Sequence, residues 1–221
     1  MSESHEVRHS YKDALGERDY EHLLEGAVLL DEKYRLETRF IIFLAGRLGL
    51  RAGEICHMDE SWVDYDREMI QIPEYESCEC GYCKEQTRQE VEWTGVDFDD
   101  ALNRRWKPKT PKAARPVPYG FSARTEIIIE RFFDRFDEFP YSRKTVNRRV
   151  KRAAENAIRV DPETTYPHAL RSTAATHHAA RGLKPMNLQL LMGWSDISTS
   201  EKYVGLTGEH LDRALKQIHN R

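Results

Sequence analysis

Pro167-His168-Ala169-Leu170-Arg171 is the stretch on which the reading of the whole chain rests. A proline suits the first position of a helix, where its missing N–H costs nothing, so a helix is predicted from Pro167 or His168 onward. One turn then carries the His168 imidazole and the Arg171 guanidinium on the same face. Downstream, Met192-Gly193-Trp194-Ser195-Asp196-Ile197-Ser198-Thr199-Ser200-Glu201-Lys202-Tyr203 places a tyrosine nine residues after a tryptophan and thirty-two after Arg171. Upstream, Gly49-Leu50-Arg51-Ala52-Gly53-Glu54-Ile55 supplies a second arginine.

Around these blocks the apolar spacing is mainly helical. Leu23, Leu24, Ala27, Val28, Leu36, Phe40, Ile41, Phe43 and Leu44 recur at threes and fours, which predicts two helices over 17–48 broken near Asp31. Ser122 caps a segment bearing Ile127, Ile128, Phe132 and Phe136 that ends near Pro140, and Ser142 caps a second whose Val146, Val150, Ala153 and Ala157 face inward. After the helix ending at Gly182 come a short one over 187–192 stopped by Gly193, another around Tyr203 and a last one from Gly208 to Ile218. Trp62 and Val63 pair with Met69, Ile70 and Ile72 about a turn at 64–67. Arg115, Val117 and Tyr119, alternating with Pro116 and Pro118, read as an edge strand. Residues 74–106 interrupt that sheet as an insertion holding three of the four cysteines, with nine acids and two bases through Asp100. The expected fold is mainly α (α+β), with a small antiparallel sheet. A polar lead-in over 1–16 precedes one domain over 17–221.

With 221 residues, 39% of them hydrophobic, the chain can bury one core. Twelve glycines, nine prolines and 32% charged residues exclude collagen-like and low-complexity chains. The absence of an 18-residue apolar run argues against a membrane partner. The start of the chain lacks a basic, then apolar, signal sequence, so a cytoplasmic location with reduced cysteines is expected. The net charge of −3 hides an asymmetry: residues 101–160 hold sixteen Lys/Arg against six Asp/Glu, and the remainder eighteen against thirty-one. That is the footprint expected of a phosphate-backbone binder, the other reading being a solvated charged face. On the helix after Ser142, Lys144, Arg148, Lys151 and Arg152 share a face with no acid before Glu155, and with Lys112 and Arg115 they are the expected DNA contacts.

In this order and spacing, the three blocks resemble the catalytic domain of the tyrosine recombinases, the phage and archaeal integrases, over residues 17–219. The resemblance implies DNA strand exchange through a covalent 3′-phosphotyrosyl intermediate, with no nucleotide and no metal needed for the chemistry. It implies Tyr203 as nucleophile, Arg51 and Arg171 as phosphate clamps, and His168 as general base and later acid. Such roles suit these side chains: planar bidentate donors match the nonbridging oxygens of a five-coordinate phosphorus, and a phenol of pKa about 10 needs a base to lose its proton. The family protonates the leaving 5′-oxygen with a lysine on a β-hairpin turn. Lys109 in Pro108-Lys109-Thr110-Pro111 matches that place best, with Lys112 a close rival and Lys107 a more distant one. Trp194 stands where many members have histidine; its indole N–H can donate to phosphate but cannot shuttle a proton.

Members act on double-stranded DNA as synapsed tetramers with C-terminal helices packed between subunits. The resemblance therefore implies a homo-oligomer on DNA, a monomer off it, residence at the nucleoid, and an exchanged element over 208–219. A helical core-binding domain usually precedes the catalytic one, and with about sixteen residues ahead of the match it is expected to be absent. The alternatives are a noncatalytic DNA-binding regulator of the same fold and a type IB topoisomerase-like enzyme.

The cysteines raise a separate expectation. Ser77-Cys78-Glu79-Cys80-Gly81-Tyr82-Cys83 offers three thiolates, and Cys56-His57 a fourth donor, taken as Cys56. Together they could hold a structural zinc, the other reading being reduced cysteines in an acidic loop. The C-x-C-x2-C run lacks the second C-x2-C pair of a strong zinc signature. His177 and His178 read as partly buried packing residues.

Overall fold

Helix α1 (Glu17–Val28) and helix α2 (Glu32–Gly46) break at Asp31, which sits at the N-cap of α2. The computed structural model describes residues 10–206, and the side chains of 12–204. Along the second half of α2, Phe40 to Ala45 are all buried, and a helix that is apolar all round must be covered on every side. Helix α1, α6 (Ala123–Phe133), α7 (Arg143–Glu155) and α8 (Pro167–Ala180) provide that cover. Phe40 stacks on Phe132 at 3.8 Å between ring centres, with Phe133 and Phe139 around them. The short helix α3 (Ala52–Ile55) follows α2 and touches α7.

Strands β1 (Val63–Asp64), β2 (Met69–Ile72) and β3 (Arg115–Pro118) form an antiparallel sheet in that order, with Ile70 opposite Val117 and Ile72 opposite Arg115. β3 lies at an edge, where Pro116 and Pro118 leave no ladder bond unmade.

Between β2 and β3 the insertion is built rather than looped. Backbone bonds in both directions between Glu76 and Trp106 close its base at 2.9 and 3.1 Å. Inside it stand α4 (Gly81–Thr94), ended by Gly95, and α5 (Phe98–Leu102), whose N-cap Asp97 accepts from the N–H groups of Asp99 and Asp100. Local caps therefore order a segment whose acidic composition suggests a loop.

The described part of the lead-in, residues 10–16, is also more ordered than its polarity suggests. Ser10–Asp13 form a 3-10 turn against α8, Tyr166 Oη donates to the buried Asp13 carboxylate at 2.8 Å, and the Leu15 N–H donates to Thr173 Oγ1 at 2.8 Å. Helix α9 (Pro185–Met192) and helix α10 (Ile197–Leu206) complete the described chain and pack on α8. The helix expected over 208–219 lies outside the described residues. No described helix is long and apolar enough to cross a membrane.

Candidate active site

Two glycine turns bring the distant arginines together. At Gly193 the backbone is left-handed, φ +58°, and a Cβ there would meet Ala113 and Arg115 at 3.0 Å, so only glycine ends α9 in this way. The turn offers consecutive carbonyls: Met192 O accepts from Arg171 Nη2, and Gly193 O accepts from Arg51 Nη2 at 3.0 Å. Gly49, φ +70°, lies where a Cβ would meet Met192 Sδ at 2.5 Å, and its carbonyl accepts from Arg171 Nη1. Arg51 itself sits at the N-cap of α3 and Arg171 on α8, one turn beyond His168.

A buried carboxylate holds this group of cations. Glu54 Oε1 accepts from Arg51 Nη1 at 2.8 Å and from Arg115 Nη1 at 3.1 Å, while Oε2 accepts from the Arg51 N–H at 2.8 Å and from Arg115 Nη2 at 3.3 Å. Burial works to raise the Glu54 carboxyl, but the guanidiniums of Arg115, Arg171 and Arg51 outweigh it and hold the pKa below the usual carboxylate value. Arg171 is 2% exposed; burial first, then Arg51 beside it, works against its charge, and Glu54 opposes them.

Arg115 is therefore a correction. Expected at the DNA surface, it is buried on Glu54, with further bonds from Nε to Leu191 O at 2.7 Å and from Nη1 to Ala113 O at 2.7 Å. It braces the arginine pair from behind.

His168 is exposed at the start of α8. Desolvation first, then the charges of Arg171, Arg51 and Lys109, lowers its pKa below the ordinary imidazole value, which keeps the ring neutral and able to accept a proton. Lys109 thus bears on His168 from the segment before β3, whereas Lys112 Nζ donates to Ser195 O at 3.1 Å. Trp194 stacks on the Tyr203 ring at 5.2 Å with 15° between planes, and the Arg171 guanidinium lies 5.9 Å from the indole centre. Tyr203, on α10, is 7% exposed, and its Oη donates to Ser172 Oγ at 3.0 Å. Arg51, Arg171, Trp194 and Tyr203 thus meet in one place, and the charges of Arg51, Arg171 and Lys109 reach His168.

Sequence reasoning missed the roles of Glu54 and Ser172. Glu54 carries a readable signal, an acid three residues after Arg51 at a helix start; Ser172 carries none, since its bond to Tyr203 depends on how α10 docks.

On α7, Lys144, Arg148, Lys151 and Arg152 are all exposed, with Lys151 paired to Glu163 at 2.7 Å. Arg149, on the opposite side, is buried against Glu37. The Ser142 side chain makes no capping bond, whereas Ser122 Oγ accepts from the Thr125 N–H.

The cysteine cluster needs a second correction: Cys78, Cys80 and Cys83 converge on His57, not on Cys56. Successive residues of a helical turn point about 100° apart, so only one of the pair can face the insertion. Cys56 turns inward against the main core.

Comparison with known proteins places this arrangement. The family model described as phage integrase family matches residues 14–210. The tyrosine recombinase XerC of Corynebacterium glutamicum is 26% identical over 218 residues, which cover 94% of this chain and 59% of that protein. XerD of Xanthomonas axonopodis pv. citri is 28% identical over 220 residues, covering 96% of this chain and 64% of its own length. The chain thus spans about three-fifths of the curated relatives it matches. Among solved structures, the Tn1549 transposon integrase in complex with transposon right end DNA superposes with a TM-score of 0.64 at 18% identity, over 94% of this chain and 66% of that one. The catalytic domain of bacteriophage HP1 integrase does so with 0.53 at 20% identity, over 92% and 93% of the two chains. At such identities the likeness is one of fold.

Proposed function

Because the chain belongs to the phage integrase family, we propose that it cuts and rejoins double-stranded DNA at specific sites through a covalent link to Tyr203. The observation that carries this reading is the meeting of Arg51 and Arg171 on one turn, with His168 beside them and Tyr203 stacked on Trp194. Tyr203 Oη attacks a backbone phosphorus in line, the P–O5′ bond breaks, and a 3′-phosphotyrosyl bond and a free 5′-hydroxyl result. His168 takes the phenolic proton and Lys109 gives one to the departing O5′. Reversal by another 5′-hydroxyl rejoins the strand without nucleotide or metal.

Each guanidinium has five N–H donors. The carbonyl and carboxylate bonds of Arg51 and Arg171 leave others to meet the nonbridging oxygens, and the fixed bonds pre-position both groups. Trp194 adds an indole N–H. The active assembly is a homotetramer on two duplexes, from chains that are monomeric off DNA, working in the cytoplasm at the nucleoid.

Trapping with an end-labelled, nicked suicide duplex tests the reading: a labelled protein band on a denaturing gel, with the phosphate at the DNA 3′ end, is expected. Binding without that band would overturn it in favour of a noncatalytic regulator. Supercoil relaxation without partner exchange would favour the topoisomerase-like activity.

Two further outcomes follow from the charges. Since neutral His168 is the base and its pKa lies below the ordinary 6.5, the acidic limb of single-turnover cleavage is expected below pH 6.5. His168→Ala should remove that limb and lower the rate about 10²- to 10⁴-fold. The exposed face of α7 contacts phosphates, so Lys144→Ala with Arg148→Ala should weaken binding alike for all sequences. The slope of log affinity against log salt, measured by fluorescence anisotropy, should become shallower by about 2.

A further inference from the structure

His57 Nε2 and the sulfurs of Cys78, Cys80 and Cys83 lie within 4.8 Å of one another, and none of these residues belongs to the cleavage site. Nε2 stands 3.6 Å from Cys80 Sγ and 3.4 Å from Cys83 Sγ. Tetrahedral zinc, with bonds of about 2.3 Å to sulfur and about 2.0 Å to nitrogen, spaces nitrogen and sulfur donors about 3.6 Å apart and two sulfurs about 3.8 Å apart. The two nitrogen–sulfur spacings are already those of a coordination shell, and the third sulfur lies within 4.8 Å of the same group. Thiols are weak hydrogen-bond partners, and crowding three of them on one ring nitrogen gains little unless something sits between them.

The surroundings prepare the donors individually. The Gly53 carbonyl can only accept, so its 2.8 Å bond to His57 makes Nδ1 the donor and leaves the Nε2 lone pair facing the sulfurs. Cys80 caps α4, and its Sγ accepts from the Cys83 N–H at 3.4 Å, a bond that orients the sulfur. His57 also rests on Trp106 at 5.5 Å. Trp106 packs on Trp62 at 4.8 Å, and Trp62 Nε1 donates to Glu76 Oε2 at 2.6 Å. The four donors therefore stand over the closed base of the insertion.

We propose that His57, Cys78, Cys80 and Cys83 bind one Zn²⁺ in a closed, four-coordinate structural site that fastens the 74–106 insertion to the end of α3. Four protein ligands leave no open position for substrate or water, so the metal takes no part in cleavage. It acts on placement. Arg51 caps α3, which contains Glu54, and the insertion leads into the segment that carries Lys109; the clip joins the two supports.

Zinc content of the full chain, purified without chelators, is expected at about one ion per chain. Cys80→Ser, at an exposed position that packing does not need, should bring it near zero, while Cys56→Ser should leave it unchanged. Metal-free, reduced protein titrated with Zn²⁺ against a chromophoric chelator should take up one equivalent, and Co²⁺ in its place should show the absorption of tetrahedral thiolate coordination. Chelation should open residues 74–106 to limited proteolysis while 123–204 stay protected. Failure of the reduced protein to take up zinc, equal zinc in Cys80→Ser and the unaltered chain, or a native disulfide within the cluster found by mass would overturn the proposal. None of these outcomes depends on DNA cleavage.

Discussion

Tyr203→Phe should bind the nicked duplex with unchanged affinity and form no covalent complex, a loss of about 10⁴-fold or more, as expected when a covalent enzyme loses its nucleophile. The substitution is clean because the ring stays. Tyr203 is 7% exposed, stacked on Trp194 and packed with Ala175, Ala179, Leu188 and Met192, all of which phenylalanine preserves. What disappears is the bond from Oη to Ser172 Oγ, worth about 1 kcal/mol. Denaturant unfolding should therefore shift little while adduct formation vanishes, and an adduct that persists would place the nucleophile elsewhere. The same bond must be given up on the way to reaction, since Oη has to leave Ser172 Oγ before it can attack.

The parts of this site legible in the sequence are those whose position depends on local geometry. The break at Asp31, the turn at Gly193 and the pairing of His168 with Arg171 follow from caps and helical spacing, and the structure keeps all three. The inward face of α7 is also readable, since Val146, Val150 and Ala153 repeat at threes and fours and bury. The surface position expected of Arg115 runs against its own pattern. Strand alternation puts it on the face of Val117 and Tyr119, which is the buried face, so a charge there requires a buried partner rather than DNA. Glu54 is that partner, sixty-one residues away, and no spacing rule reaches so far. One step of helical rotation separates Cys56, against the core, from His57, on the cysteine cluster. The bond between Tyr203 and Ser172 depends on how α10 docks against α8, a matter of packing that the sequence does not display.

Arg171 offers the second large effect, and its environment dictates which replacement is informative. Arg171→Ala should abolish cleavage, but it also strips donors from the buried carbonyls of Gly49 and Met192. An unsatisfied buried group costs about 1–3 kcal/mol, so this variant should be destabilised by a few kcal/mol, and its inactivity would be ambiguous. Arg171→Lys keeps the charge and separates the two roles. An ammonium is a single point that cannot reach Gly49 O, Met192 O and a phosphate oxygen together, as a planar fork can. Single-turnover cleavage should fall about 10²- to 10³-fold, the usual loss when one charge-stabilising donor is removed, with a smaller drop in unfolding midpoint than for alanine. DNA affinity should hardly change, because the exposed cations of α7 are untouched. A lysine variant that cleaves at the unaltered rate would show that charge alone suffices at this position, and the paired carbonyls of Gly49 and Met192 would then serve the fold rather than the transition state.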